Sequence, residues 1–343
     1  RGVTNMRIGI ALTNACNLHC EYCFAQNITR RHHLFLKPDE YKELLEFSVT
    51  GSDDIGLAGG EPMINPWFRE ILNMTVNDNR VHHVIVYSNG INGEKYADDL
   101  MNPKVSMLIN VNSEKDIGTE SYERIDKFLA KMKENCEMMG MHLSDKLGLG
   151  VNIYGNDFNP KFIIDLMHKY DLVYLRTSVT TRVNEPELEV LDYFRDRLDP
   201  YFNVIKTCIE AGLIPTADCN QVPRCLWTEE HKQFFISHGM EDFVKQSGCF
   251  SPVITLLPDK TAINCFSLEE ISKVDIDNFN NLEELIGYYE VNINNFIPSA
   301  YTNEQCKNCM ARKKKLCSMG CPSMHMKSLK KFIDMEENLK YDE

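Results

Sequence analysis

Cys16, Cys20 and Cys23 lie in the run Asn14-Ala15-Cys16-Asn17-Leu18-His19-Cys20-Glu21-Tyr22-Cys23-Phe24, a C-x3-C-x2-C spacing on one short stretch. Three thiolates so placed can hold three irons of a [4Fe–4S] cube and leave the fourth iron without a protein ligand. Cubes that only carry electrons take four cysteines, so an open iron marks a place where something other than protein binds. Structural zinc is the simpler alternative, but zinc sites mostly pair cysteines as C-x2-C with a second pair elsewhere. Three ligands this close together would strain a tetrahedral ion. The loop reads as a reaction site.

This run is similar to the cluster loop of radical S-adenosylmethionine (radical SAM) enzymes, in which an aromatic residue precedes the third cysteine, as Tyr22 does here. A second match is Gly59-Gly60-Glu61-Pro62. Alone it would be a turn with a solvated acid. One strand after the cysteine loop it resembles the radical SAM motif whose backbone and acid bind the methionine amine. Glycines let a backbone approach a ligand closely, and a carboxylate accepts from an ammonium group. Ser88-Asn89-Gly90 resembles the segment lining the ribose and methionine, although a polar strand-to-helix turn explains it equally well. Asn110, Asn112, Asn152 and Tyr154 fall at or near strand ends, and Arg176 is a candidate partner for the SAM carboxylate. Some of these five only satisfy backbone. The resemblance implies that SAM chelates the open iron, that a reductant such as flavodoxin or ferredoxin supplies one electron, and that a 5′-deoxyadenosyl radical then takes hydrogen from an unactivated carbon.

The chain holds thirteen cysteines, which in a cytoplasmic-looking chain argue for metal over disulfides. Eight of them cluster in the second half: Cys219, Cys225, Cys249, Cys265, Cys306, Cys309, Cys317 and Cys321. Two closed cubes need that number. Cys136 and Cys208 remain, in helical-looking stretches where an inert buried thiol is the default. The order Cys249-x15-Cys265, then Cys306-x2-Cys309-x7-Cys317-x3-Cys321, resembles the auxiliary-cluster region called SPASM, common in enzymes that modify ribosomal peptides. This chain departs from that pattern in three ways: Lys260 replaces a glycine, a spacing of five is seven, and no cysteine follows Cys321. The resemblance implies two auxiliary [4Fe–4S] clusters, one sharing Cys249, Cys265 and Cys321 and the other Cys306, Cys309 and Cys317. Cys219 and Cys225 would supply missing ligands, and the sequence leaves their division open. Structural zinc is the alternative for the tail.

These motifs need a scaffold. Strand signals at Met6–Leu12, Asp54–Ala58, His83–Tyr87, Val105–Val111, Leu147–Tyr154 and Leu172–Val179 alternate with helix signals near Pro38–Phe47, Pro66–Met74, Glu94–Met101, Ser121–Met139 and Pro160–Tyr170. Six β–α alternations predict an α/β fold, a parallel sheet curled into a partial (β/α)6 TIM barrel. Sites of such barrels gather at the C-terminal ends of the strands, where the cysteine loop falls. Residues 1–184 are expected to form this barrel, 185–248 a bridging helical segment carrying Cys219 and Cys225, and 249–343 a SPASM-like α+β domain. A hairpin between Val253 and Cys265 should turn at Pro258-Asp259-Lys260.

The 343 residues carry a net charge of −13, which disfavours nucleic acid as the main partner. No apolar run approaches the roughly 20 residues that span a bilayer. The basic run Arg312-Lys313-Lys314-Lys315 reads as solvated surface, or as a patch steering an acidic peptide. The leading expectation is a radical SAM enzyme that modifies a peptide carrying a leader segment, by cross-linking, epimerisation or a related change. Radical chemistry on a small molecule is one alternative and a sulfatase-maturing activity another. Phe266 counts against the latter, because that group carries an acid there. Hydrogen donors or bases (Cys208, Tyr87, Tyr154, Asp218) are not ranked by sequence, nor is an oligomeric state indicated.

Overall fold

The computed structural model describes residues 6–182, 187–218, 220–245, 248–249, 252–299 and 303–341; Cys219 lies outside them. Ten strands form one sheet: β1 (Ile8–Ala11), β2 (Asp54–Ala58), β3 (His83–Ser88), β4 (Val105–Asn110), β5 (Leu147–Ile153), β6 (Tyr174–Val179), β7 (Ile214–Ala217), β8 (Ile254–Leu256), β9 (Thr261–Asn264) and β10 (Val274–Asp275). Their order is β10-β9-β8-β1-β2-β3-β4-β5-β6-β7, and β1 to β7 pair in parallel. The α/β class and the six parallel strands of the expected partial barrel are present.

The helices form where the local sequence favours them. Pro38–Ser48 begins with proline at its first turn, and Glu40 accepts from the Lys37 N–H to close the N-terminus. Tyr41, Leu44, Leu45 and Ser48 then fall on one buried stripe. Glu94–Met101 differs from expectation: it forms two 3-10 turns, Glu94–Tyr96 and Asp99–Met101, too short a stretch to propagate a helix.

The sheet has two unlike faces. Along β3 and β4 buried and half-buried residues alternate. Val84, Val86, Met107 and Ile109 enter the main core with Phe128 and Leu129 of the helix Thr119–Met138. Burying each such side chain contributes roughly 1.5–3 kcal/mol. The opposite face stays half-exposed and polar. There Arg7 donates to both oxygens of Asp54 at 2.9 and 2.8 Å and to the Tyr87 hydroxyl at 3.1 Å.

Two features of the sheet were hidden in the sequence. β7 pairs with β6 as a seventh parallel strand, although Pro215 lies in it. Proline is tolerated because β7 is an edge and the missing N–H faces no partner strand. The predicted hairpin is β8–β9, but it adds to the barrel sheet, with β8 parallel to β1 and Gly9 opposite Thr255. Lys260 occupies its turn with φ of 59°, the left-handed conformation that the missing glycine would have adopted freely. No helix among the described residues is long and apolar enough to cross a membrane.

A Cβ at Gly9 would stand 2.8 Å from Thr255 Oγ1. Gly9→Ala should therefore destabilise the protein by about 1–3 kcal/mol. Thr255→Ala should recover much of that loss, giving a coupling of about 0.5–3 kcal/mol in a double-mutant cycle followed by denaturant unfolding. Additive effects would place β8 elsewhere.

Candidate functional site

The cysteine loop leaves β1 and is tied down at both ends. Thr13 donates to the Leu34 carbonyl at 2.6 Å, and its oxygen accepts from the Ala15 N–H at 3.0 Å. Asn14, nearly buried, donates to the carbonyls of Ile28 and His32 and accepts from the Leu34 N–H at 2.7 Å. Asn65 donates to the Leu12 and Leu36 carbonyls at 2.7 and 3.0 Å. Sequence reasoning passed over Thr13, Asn14, Asn17 and Asn65. Their signal was modest: short side chains that donate and accept, beside a loop whose backbone needs partners.

Gly59 and Gly60 press against this loop. The Gly60 N–H donates to the Thr13 carbonyl at 2.9 Å and the Glu61 N–H to the Ala15 carbonyl at 2.8 Å. A Cβ at Gly59 would sit 2.2 Å from Thr13 O, and one at Gly60 2.1 Å from Ala15 O. Gly59 also has φ of 141°. The close approach that these glycines permit is thus to the cysteine loop.

Glu61 is 1 % exposed. Its carboxylate accepts from the Met63 N–H at 3.0 Å, the Ser88 hydroxyl at 2.8 Å and the Asn89 N–H at 2.7 Å. Asn89 in turn donates to Asn17 Oδ1 at 2.7 Å. Pro62, buried, starts the 3-10 turn Pro62–Ile64. The structure thus joins Asn17, Gly60, Glu61, Ser88 and Asn89 in one assembly behind the thiols. Burial pushes the Glu61 carboxyl up to about 7, against the three donors that favour its charge.

Cys16, Cys20 and Cys23 are all partly buried. The Leu18 N–H donates to Cys16 Sγ at 3.4 Å and Asn112 Nδ2 to Cys20 Sγ at 3.5 Å. Burial raises all three thiols, Cys16 to about 12, so at neutral pH it favours their protonated form. Among the described residues no three His, Cys, Asp or Glu side chains converge on a single-ion site. Two of the three thiols on this loop, Cys16 and Cys20, thus receive N–H donors. Tyr22 stacks on Tyr154 with ring centroids 4.8 Å apart and donates to Asn112. Tyr154 donates to Asp116.

Asn110, Asn152 and Arg176 gather on the half-exposed face, across β4, β5 and β6. Gly150 leaves the gap between them, since a Cβ there would lie 3.0 Å from Asn110 Oδ1 and 3.4 Å from Arg176 Nε. Neither of those atoms has a hydrogen-bond partner among the described residues. Arg176 Nη2 reaches Asp218 at 3.1 Å and Asn152 Oδ1 at 3.4 Å. Asn110 Oδ1 and Arg176 Nε are thus buried polar atoms whose hydrogen-bonding capacity the described residues leave unused.

Six of the other described cysteines fall in two neighbourhoods. Cys265 and Cys321 both approach Ser267 Oγ, at 3.5 and 3.9 Å. Burial raises the Cys265 thiol to about 11, with the nearby Cys321 thiol adding to it. Cys225, Cys306, Cys309 and Cys317 line a cavity of about 380 Å³. Cys136 and Cys208 are fully buried, apart from both groups.

Residues 10–146, the stretch that carries the cysteine loop, Gly59-Gly60-Glu61 and Ser88-Asn89, match the model of the Radical SAM superfamily. Among curated relatives, the probable GTP 3′,8-cyclase of Methanocaldococcus jannaschii is 32% identical over 37% of this chain and 42% of its own. The GTP 3′,8-cyclase of Alkaliphilus oremlandii is 30% identical over 49% and 54%. The chain thus spans about half the length of the curated relatives it matches. Among solved structures, Streptococcus suis SuiB bound to S-adenosylmethionine is 16% identical with a TM-score of 0.61, covering 93% of this chain and 73% of that one. SuiB bound to precursor peptide SuiA gives 15%, 0.61, 93% and 72%. At such identity the likeness is one of fold.

Gly60→Ala should displace the cysteine loop and lower the iron retained there after anaerobic reconstitution. Full iron content in that variant would show that the contact with Ala15 is dispensable. Glu61 carries a pH signature. Its folded carboxyl is raised from 4.5 to about 7, so the folded protein holds more protons than the unfolded chain between those values. Stability of the cluster-free protein should therefore fall as pH rises from about 4.5 to 7, by on the order of 3 kcal/mol. Urea unfolding at pH 5 and 8 should show this drop in the wild type and a smaller one in Glu61→Gln.

Proposed function

We propose that this chain is a radical SAM enzyme whose Cys16–Cys20–Cys23 loop holds a [4Fe–4S] cluster with one open iron, and whose substrate is a small polar molecule. The observation that carries the reading is the assembly behind the thiols, in which Gly60, Glu61 and Asn89 are fastened to the loop that bears them. Cys16, Cys20 and Cys23 would hold the cluster, which with SAM bound would supply hydrogen abstraction from an unactivated carbon. The protein's part is to hold and orient. Tyr22, Asn112 and Tyr154 wall the loop, and Asn110, Asn152 and Arg176 present polar atoms that position a ligand on the half-exposed face. Such preorganisation matters because a misplaced C–H would quench the radical.

The small-molecule class draws support from the relatives, whose names state GTP as substrate. A peptide substrate is the second reading, favoured by the cysteine-rich C-terminal half and its likeness to SPASM regions. Two further clusters in that half belong to this proposal. Phe266, where a sulfatase-maturing enzyme would carry an acid, instead meets Phe24 of the cysteine loop edge-on at 6.2 Å between ring centroids. That placement leaves no base there. A small carrier such as flavodoxin or ferredoxin would supply the electron.

Anaerobic, reduced protein should convert SAM to 5′-deoxyadenosine and methionine, and the combined change of Cys16, Cys20 and Cys23 to Ala should abolish this. Cleavage by the triple variant would refute the site. Deuterium appearing in 5′-deoxyadenosine from a labelled nucleotide, with peptides inert, would establish the small-molecule class; transfer from a labelled peptide alone would establish the other.

A further inference from the structure

The cavity lined by Cys225, Cys306, Cys309 and Cys317 lies between the segment that follows β7 and the C-terminal tail. The tail supplies three of the four thiols. Cys306 and Cys309 flank a tight turn in which the Cys309 N–H donates to the Cys306 carbonyl at 3.2 Å, and Cys309 precedes the helical turn Met310–Lys313. The Met319 N–H donates to Cys317 Sγ at 3.3 Å. The fourth thiol on this cavity comes from far upstream: it is Cys225. It stands 81 positions before Cys306 and reaches the cavity because the chain turns back there, with the Arg224 guanidinium donating to the Lys245 carbonyl at 2.9 Å.

We propose that Cys225 is the fourth protein ligand of an iron–sulfur cube held by Cys306, Cys309 and Cys317, which closes that site to any outside ligand. The inference rests on the reading of the C-terminal half as cluster-bearing and assigns within it a cysteine whose place the sequence left open.

Three observations support it. First, the four thiols line one cavity of about 380 Å³, which leaves room between them for a multi-atom group. Second, a cube with four thiolates carries net negative charge, and Arg224, Lys232, Lys245 and Arg312 line the same cavity. Those cations offset the charge in a partly enclosed place, where it would otherwise be costly. Third, Cys225 is set apart from the other neighbourhood, where Cys265 and Cys321 share Ser267. A fourth thiolate also fixes what the site does not do. With every iron bound by protein, it offers no coordination position to substrate or SAM.

The test uses the full chain, reconstituted without oxygen, in a background where Cys16, Cys20 and Cys23 are Ala so that only the remaining iron is counted. Cys306→Ala and Cys225→Gly should each lower iron and remove the same signal from the electron paramagnetic resonance spectrum of the reduced protein. Cys208→Ala should change neither. In Cys225→Gly, added 2-mercaptoethanol should restore the lost signal by filling the vacated iron position, a rescue that a merely structural role would not give. If Cys306→Ala loses the signal and Cys225→Gly keeps it, the assignment of Cys225 is overturned while the cluster stands. If neither variant changes iron, or the site holds zinc, the cluster-bearing reading itself fails. Reductive SAM cleavage by Cys225→Gly with the first loop intact reports separately on the N-terminal site.

Discussion

The contact on which this site depends is a backbone one. Two N–H groups of the loop after β2, from Gly60 and Glu61, close onto the carbonyls of Thr13 and Ala15 in the loop after β1. Carbonyl oxygens lie within 2.2 Å of where side chains at Gly59 and Gly60 would begin, so no other residue type permits the approach. Once it is made, the Glu61 carboxylate is carried inward to meet Ser88 and Asn89 at the end of β3. Three strand ends are thereby fixed relative to three thiols. Removing a charged carboxylate from water is unfavourable, and the three donors around Glu61 only partly offset that. A buried acid of this kind responds strongly to a nearby cation, which is the property an ammonium-bearing ligand would exploit.

The two halves of the chain meet beside the same loop. Arg31, just past it, makes a bidentate pair with Glu269 at 2.5 and 2.9 Å, and Glu269 is nearly buried. Phe24 meets Phe266. The hairpin β8–β9 adds to β1 in parallel, so the strand that launches the first cysteines also supports the stretch ending at Cys265. These contacts join the halves, and the sheet is continuous from β7 to β10. The polar face of that sheet, with Asn110, Gly150 and Arg176, borders both regions through Asp218.

The parts of the fold carried by local pattern were legible. β2 and the other early strands stand out because apolar residues of parallel strands, covered by helices, run nearly unbroken. The cysteine loop and Gly59-Gly60-Glu61 were legible for another reason: their chemistry needs fixed residue types at fixed spacing. The hairpin turn at Pro258-Asp259-Lys260 was legible from its turn residues, although Lys260 adopts there a left-handed conformation at a modest energetic cost. β7 was hidden by Pro215, which reads as a strand breaker until the strand is known to be an edge.

What the sequence alone determined is the inventory of ligands: three clustered thiols, an acid behind two glycines, and eight further cysteines. Their types and spacing are local facts, and local facts survive without coordinates. The tertiary structure decided which members of that inventory act together. It gave the two glycines a protein carbonyl to face, turned Arg176 toward Asp218, and brought Cys225 across 81 positions to the thiols of the tail. Those pairings depend on where the chain turns back and on which strand lies beside which. Such long-range closure is set by the packing of the whole sheet, so no short stretch of sequence encodes it.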